Sequence, residues 1–235
     1  MIQEQENKTM VFAFGRYNPP TIGHQKLIEK VAEIAQQQGA PYNIFVSQTQ
    51  NRKKNPLEYK EKVMFMKKIF PKHNSNIVYN TEYRTIFHIL EGLEKAGIEN
   101  IIMVAGEDRV QEFDKLLKQY DGQEYNFQNI QVVSAGQRDP DSEGAEGASS
   151  TKMRASAAAG DFLSFREGLP LNTDENDAER IYQSVRGGMG IQESFHDMIL
   201  AMVEEEVNEM STMAGGAVTM GPRKPKKRNK KFKTN

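Results

Sequence analysis

The chain has 235 residues, 37% of them hydrophobic, which suits one domain with a buried core plus an appendage. It has no cysteine, which excludes disulfides and thiolate metal sites, and no apolar run approaches the length of a membrane span. The net charge of −1 hides a basic stretch, Arg223–Lys233, in which eight of eleven residues are Lys or Arg. The rest has 23 basic against 32 acidic residues. With a polar N-terminus that carries no signal-peptide pattern, we expect a cytoplasmic protein without a membrane partner.

Strand and helix patterns alternate along the first 140 residues. The short apolar runs that predict β-strands are Met10–Phe14, Tyr42–Gln48, Asn76–Asn80, Asn100–Gly106 and Asn129–Gly136. The segments with helical spacing between them are His24–Gly39, Asn55–Phe70, Thr85–Gly97 and Asp108–Tyr120. Asn55 as N-cap and Pro56 at the first helical position predict where the second helix begins. The alternation predicts a Rossmann-like, doubly wound α/β fold with a parallel sheet of about five strands.

The remainder of the chain changes character. Gln137–Ala148 is rich in Gly, Asp and Glu and predicts a mobile loop, and a short helix follows Ser149. Two helices, over residues 172–188 and 192–210, are predicted to be joined by Gly187–Gly190. We therefore expect an α/β domain over residues 1–170, a helical extension over 171–210 and a disordered basic tail over 211–235.

Ligands of such sheets bind beyond the carboxyl ends of the strands, so the loops after strands matter most. Two of them stand out, Gly15–His24 ("GRYNPPTIGH") and Gly106–Arg109. In the first, Gly15 permits a turn and a close approach to the backbone, two prolines stiffen the loop, and Gly23 removes bulk beside His24. The amides at the start of the following helix form an anion site, where a histidine can donate to phosphate oxygens. This arrangement suits a polyphosphate and differs from a glycine-rich P-loop.

These residues resemble a known superfamily. "GRYNPPTIGH" resembles the [HT]xGH signature of nucleotidyltransferases related to class I aminoacyl-tRNA synthetases, and "SSTKMR" (Ser149–Arg154) resembles their second signature, SSTxxR. "KKNPLEYKEKVMFM" and "VAGEDRVQEF" agree in order, the latter with the Gly-x-Asp-Arg segment of NMN adenylyltransferase-like members. The resemblance covers about residues 10–170. More loosely, the chain is similar to nucleotidyltransferases encoded by tailed bacteriophages, which would place it in the host cytoplasm.

The resemblance implies transfer of AMP or CMP from ATP or CTP to a phosphorylated acceptor, with release of pyrophosphate. It implies that His24 contacts the α- and β-phosphates and that Ser150, Thr151 and Arg154 hold the β- and γ-phosphates. Mg²⁺ would be held mainly by the triphosphate, since no carboxylate cage is evident in the sequence. Members of the superfamily often carry histidine where this chain has Thr21, although phosphopantetheine adenylyltransferases also have threonine there.

Other candidate residues keep two interpretations each. Arg16 contacts a phosphate or lies on the surface, and Lys54, with Arg52 and Lys53 before it, reaches a phosphate or lies in a solvated loop. Asp108, after Gly106, lines the nucleotide pocket or caps the next helix. The set of expected site residues is completed by positions in the two signatures, namely Gly15, Asn18, Thr21, Gly23 and Ser149. Three further histidines, His73, His88 and His196, have no metal-ligand spacing and are predicted to be structural.

The two signatures also have purely structural interpretations. His24 could be only a helix-cap histidine, and Ser149–Thr151 only an N-cap. In one alternative, the protein has this fold but is a catalytically weak nucleotide-binding or virion-associated protein. In another, the main function is nonspecific binding of nucleic acid by the basic tail, Arg223–Lys233.

Overall fold

The computed structural model describes residues 8–136 and 149–191. Within them one sheet forms from strands β1 (Thr9–Gly15), β2 (Tyr42–Val46), β3 (Ile77–Val78), β4 (Asn100–Ala105) and β5 (Asn129–Ser134). All four neighbouring pairs are parallel, and the order is β3-β2-β1-β4-β5. The predicted five-stranded Rossmann-like sheet is therefore confirmed. Its order reverses between β1 and β4, which is where a ligand crevice is expected.

Helices cover both faces of the sheet. They are α1 (Ile22–Gln38), α2 (Tyr59–Ile69), α3 (Ile86–Lys95), α4 (Glu107–Tyr120), α5 (Ser150–Ala159), α6 (Phe162–Glu167) and α7 (Glu175–Met189), and a 3₁₀ turn spans Pro71–Asn76. The buried side chains of α3 and α4 form one core, and those of α1, α2, α5, α6 and α7 form the other.

The central strand β1 shows why the sheet is buried on both sides. Val11 and Ala13 point into the core that contains α1, whereas Met10 and Phe12 point into the core that contains α3. Each large apolar side chain buried in this way stabilises the fold by roughly 1.5–3 kcal/mol. Both faces are thus occupied by packing, and the carboxyl edge of the sheet is left to the loops.

The start of α2 differs from the sequence prediction. Asn55 and Pro56 were expected to open this helix, but it begins at Tyr59. The backbone N–H and C=O of Asn55 bond to Asn51 and close a tight turn, at 3.0 and 2.9 Å. The backbone of Leu57 is paired with a distant side chain, that of Asn18. Tertiary contacts therefore hold residues 55–57 out of the helix despite a good capping pattern.

The glycines near residue 190 were also misassigned. Gly187 and Gly188 were expected to separate two helices, but both lie inside α7, which ends at Gly190 in the left-handed region with φ of 78°. Gly188 packs closely against Pro56, which lies in the segment before α2. A Cβ at position 188 would be only 2.2 Å from the carbonyl oxygen of Pro56. This glycine permits close packing and does not end the helix.

Several predictions lie outside the described residues. They are the loop over Gln137–Ala148, the helix over 192–210 and the basic tail over 211–235. Among the helices that are described, none combines the length and the apolar character needed to cross a membrane.

Candidate active site

The loop between β1 and α1 begins by extending the sheet. The carbonyl oxygen of Gly15 accepts a hydrogen bond from the Ser47 N–H at 2.8 Å. Tyr17 then takes a positive φ of 46°, which is uncommon for a residue other than glycine, and the Asn18–Pro19 peptide bond is cis. The buried Tyr17 ring folds back over Gly15, where a Cβ would be 2.8 Å from two ring carbons. The missing side chain of Gly15 makes room for this ring.

Thr21 and His24 together form the N-terminal cap of α1. The backbone N–H of Thr21 donates to His24 Nδ1 at 3.0 Å, and the N–H of His24 approaches Thr21 Oγ1 at 3.4 Å. Because Nδ1 accepts an N–H, the proton of the neutral imidazole belongs on Nε2. Thr21 is fully buried and Gly23 lies in the first turn of the same helix. The cap therefore prepares Nε2 as a hydrogen-bond donor.

A similar but less complete cap occurs at the start of α3, without the bond from the threonine N–H to the imidazole that α1 has. Thr85 caps α3, with His88 Nδ1 at 2.9 Å from Thr85 Oγ1 and the His88 N–H at 3.4 Å from the same oxygen. His88 is exposed, and α3 lies on the other face of the sheet. The Thr-x-x-His pattern alone is thus a structural device, and what distinguishes His24 is the Thr21 N–H bond to its Nδ1 together with its surroundings.

Asn18 connects three segments at this edge of the sheet. Its buried side chain accepts from the Leu57 N–H at 3.0 Å and donates to the Leu57 carbonyl at 3.2 Å. Its own backbone carbonyl accepts a hydrogen bond from Arg154 Nη1 at 2.7 Å. The buried amide side chain therefore ties the loop after β1 to the segment before α2.

The second signature segment meets the first at the start of α5. Ser149 caps this helix, accepting from the Lys152 N–H at 3.1 Å. Ser150 Oγ donates to the carbonyl of Pro19 at 2.8 Å, and the second guanidinium arm of Arg154 lies 3.1 Å from Thr151 Oγ1. Segments that are about 130 residues apart in sequence are therefore bonded to each other at this edge of the sheet.

Two guanidinium groups concentrate positive charge at this junction. Burial lowers the pKa of Arg154, and the nearby positive charge of Arg16 lowers it further. Arg16 itself is exposed. Two like charges held this close repel each other, so the arrangement favours an anion that neutralises both.

The loop after β4 reaches the same edge, since β1 and β4 are adjacent and parallel. Gly106 is the N-cap of α4, and the Asp108 carboxylate turns back towards it, 2.9 Å from where a Cβ of Gly106 would lie. Asp108 is therefore not the N-cap residue. Arg109 forms an ion pair with Glu112 at 2.7 Å and lies over the Phe113 ring. Its contacts are with its own helix.

A rigid cationic turn follows β2. The Asn51–Asn55 bridge encloses Arg52, Lys53 and Lys54, all exposed, and the Lys54 N–H donates to Asn51 Oδ1 at 2.7 Å. The Arg52 guanidinium approaches the end of α7, 3.7 Å from where a Cβ of Gly190 would lie. The turn leads directly to Leu57, which is bonded to Asn18.

The comparison with protein families decides the classification. The profile of cytidylyltransferase-like proteins matches residues 12–156, more than half of the chain, from β1 into α5. The chain belongs to the cytidylyltransferase-like family. The match spans both signature segments and places the protein among nucleotidyltransferases. The looser similarity to bacteriophage members stays a prediction.

A solved structure is also similar to this family member. It is assigned as a nicotinate-nucleotide adenylyltransferase from Vibrio parahaemolyticus, with a TM-score of 0.45 and 16% sequence identity over 74% of this chain and 97% of the other. A similarity of this size carries no information on substrates. No curated protein sequence matches the chain.

Sequence reasoning missed one residue of the cytidylyltransferase-like domain beside the site. Lys62 on α2 is completely buried, and its ammonium group donates to the carbonyl of Ser47 and, at 3.3 Å, to that of Thr49. Burial lowers its pKa to about 8. It thereby fixes the chain just after β2, where Ser47 bonds to Gly15. Its position on the inner face of α2, between Glu61 and Val63, was the only available signal.

The other described histidine of this domain has a structural environment. His73 Nδ1 lies 2.9 Å from the Tyr42 hydroxyl, and burial lowers its pKa. His196 lies outside the described residues. Within residues 8–136 and 149–191, no group of three or more His, Asp or Glu side chains is arranged to hold a metal ion.

Proposed function

We propose that this cytidylyltransferase-like protein transfers AMP or CMP from a nucleoside triphosphate to a phosphorylated small-molecule acceptor and releases pyrophosphate. The observation that supports this most strongly is the junction of the two signature segments. There Ser150 donates to the Pro19 carbonyl and Arg154 to the Asn18 carbonyl, beside the charge of Arg16. Guanidinium groups bind phosphate oxygens through charge-assisted hydrogen bonds, so a polyphosphate suits such a pair.

The proposed roles follow from which side chains the protein already uses. His24 donates from Nε2 to the α- and β-phosphates, while Thr21 holds its Nδ1. Arg154 and Thr151 hold the β- and γ-phosphates and then the pyrophosphate. Ser150 joins the segments through Pro19, and Asn18 does so through Leu57. Lys54 is the proposed contact for the acceptor phosphate, and Gly106 with Asp108 forms a wall of the nucleotide pocket.

The proposed reaction needs no general base. An oxygen of the acceptor phosphate is already an anionic nucleophile at neutral pH. It forms a bond to the α-phosphorus while the bond from that phosphorus to the α,β-bridging oxygen breaks. The electron pair of the broken bond goes to that oxygen, and pyrophosphate leaves. Catalysis therefore rests on alignment and on donors that meet the charge developing on the bridging oxygen.

A magnesium ion bound to the triphosphate would neutralise part of its charge. The side chains that meet at the junction are guanidinium, hydroxyl and imidazole groups, and among the described residues no carboxylate cluster accompanies them. They do not form a cage for Mg²⁺, so the ion would be held mainly by the triphosphate.

The test is pyrophosphate release over a matrix of ATP and CTP against NMN, phosphopantetheine, glycerol 3-phosphate and FMN. We expect release with one nucleotide and a narrow set of acceptors. Arg154→Ala should lower kcat and raise the KM for the nucleotide, because Arg154 would hold the triphosphate before and after transfer. Nucleotide binding by calorimetry, without release for any acceptor, would support the alternative of a catalytically weak nucleotide-binding protein. In that alternative, the basic tail would bind nucleic acid.

A further inference from the structure

Tyr17 combines several costly features in one residue. Its ring is completely buried, and its φ of 46° lies in the left-handed region, which residues other than glycine rarely adopt. Its hydroxyl is buried and has no hydrogen-bond partner among the described residues. Strained backbone and unsatisfied polar groups persist where the surroundings impose them, often at functional sites.

The surroundings that impose this conformation are Gly15 and His24. Gly15 provides the space into which the Tyr17 ring folds, and the ring then lies against the imidazole of His24, with centroids 4.7 Å apart and planes tilted by 57°. The next residue, Asn18, is fixed by its two bonds to Leu57. The backbone that follows Tyr17 is thus fixed, so the Tyr17 ring has little freedom to move away from His24.

The contact with the imidazole bears on its orientation. The cap holds His24 through Nδ1, which accepts a hydrogen bond from the Thr21 N–H. A half-turn of the ring about its last side-chain bond would exchange Nδ1 with a carbon and break that hydrogen bond. An aromatic ring packed against the imidazole opposes this rotation. His88 lies beside the hydroxyl of its own N-cap threonine, Thr85, but within the described part of the chain no aromatic ring packs against it.

We propose that Tyr17 is a positioning residue that locks the His24 imidazole in the orientation with Nδ1 towards Thr21 and a protonated Nε2. The ring performs this role and the hydroxyl does not, because the hydroxyl bonds to nothing described here. The inference rests on the proposed function for its effect on catalysis, but the orientation of His24 can be measured without any activity.

The kinetic test compares Tyr17→Leu with Tyr17→Phe. Tyr17→Leu should lower kcat roughly 10- to 100-fold and leave the KM for the nucleotide within about twofold, since the donor is misaligned while the guanidinium groups remain. Tyr17→Phe keeps the ring and should retain kcat within about twofold. The matched control is Phe70→Leu, another buried aromatic residue of the same core, at the far end of α2. It should lower the melting temperature and leave kcat unchanged.

The second readout is the ¹⁵N spectrum of the imidazole groups at a pH where they are neutral. In the wild type and Tyr17→Phe, His24 should give the separated nitrogen shifts of a single Nε2–H tautomer. In Tyr17→Leu these shifts should move towards the average, while those of His88 serve as the internal reference and stay fixed.

An unchanged His24 spectrum in Tyr17→Leu, or equal losses of kcat in Tyr17→Leu and Phe70→Leu, would overturn the positioning role. The absence of pyrophosphate release by the wild type would overturn the proposed function instead. The spectra would still decide whether Tyr17 holds His24.

Discussion

At the scale of single residues, one local pattern has two outcomes. Thr21 and Thr85 each accept a hydrogen bond from the N–H of the histidine three residues later, at 3.4 Å in both cases. His24 differs in two ways: its Nδ1 also accepts from the Thr21 N–H, and it packs against the Tyr17 ring. It directly follows the loop that carries Arg16 and is bonded to Arg154. The chemistry we propose therefore depends on neighbours from distant parts of the chain, and not on the four-residue motif.

Lys62 gives a prediction for the pH dependence of stability. Its pKa falls from an ordinary 10.5 to about 8 on burial, so between these values the folded residue is neutral while the unfolded one is charged. The unfolded chain then binds more protons, and the contribution of Lys62 to the free energy of unfolding rises with pH in this window. Relative to Lys62→Met, the wild type should gain on the order of 2 kcal/mol between about pH 8 and about pH 10.

The measurement is urea unfolding of both proteins across that range. Taking the difference between them cancels the buried tyrosines, whose raised pKa values act in the opposite direction above about pH 10. Parallel pH profiles for the two proteins would mean that Lys62 titrates normally in the folded state.

At the scale of elements, the site is a junction of loops fixed by bonds between helices and strands. The loop after β1 is bonded to the chain after β2 by the Gly15 carbonyl and to α5 by the Asn18 carbonyl. The Asn18 side chain of the same loop holds the segment before α2. Shifting any one of these elements would move the loop that carries His24.

Two adjacent glycines of α7 test this packing. Gly188→Ala should destabilise the fold by about 1–3 kcal/mol, because its Cβ would lie 2.2 Å from the Pro56 carbonyl oxygen. Gly187→Ala is the matched control, since its Cβ would meet nothing within 4 Å. It should stabilise the helix by about 0.5–1 kcal/mol. Chemical denaturation of the two variants measures both changes, and effects of the same sign would contradict the packing described for α7.

The sequence predicted the strands well and the details of the site poorly. Each apolar run became a strand of the sheet, because alternation and burial are set by local pattern together with the parallel topology. The start of α2 was wrong because Asn18 takes the backbone of Leu57, 39 residues away. The positive φ of Tyr17 has no local signal, and the burial of Lys62 is indicated only by its position on the inner face of α2, since both features arise from contacts with other elements.

At the scale of the whole molecule, charge is distributed unevenly. Outside the stretch Arg223–Lys233 the chain has 23 basic against 32 acidic residues, yet Arg16 and Arg154 lie close together beyond the carboxyl end of β1, and the exposed turn of Arg52–Lys54 follows β2. Local positive charge on an acidic body favours small anions at that edge over extended polyanions elsewhere. The tail has the opposite composition and, by sequence, a separate role.

Deleting residues 211–235 should therefore leave kcat and KM for nucleotidyl transfer within about twofold. The same deletion should weaken any binding of single-stranded DNA that is sensitive to salt, because eight cations are removed with the tail. Fluorescence anisotropy at two salt concentrations measures the second effect. A truncated protein that is folded but cannot release pyrophosphate would contradict the prediction.

His24 is proposed to act on the phosphates as well as to cap α1, and the activity of two histidine variants separates these roles. Pyrophosphate release is measured for the wild type, His24→Ala and His88→Ala, each of which removes a histidine beside an N-cap threonine. We predict that His24→Ala lowers kcat roughly a hundredfold, or about 3 kcal/mol, with a smaller change in the KM for the nucleotide, and that His88→Ala leaves both unchanged. Equal activity of the two variants, whether retained or lost, would contradict the account.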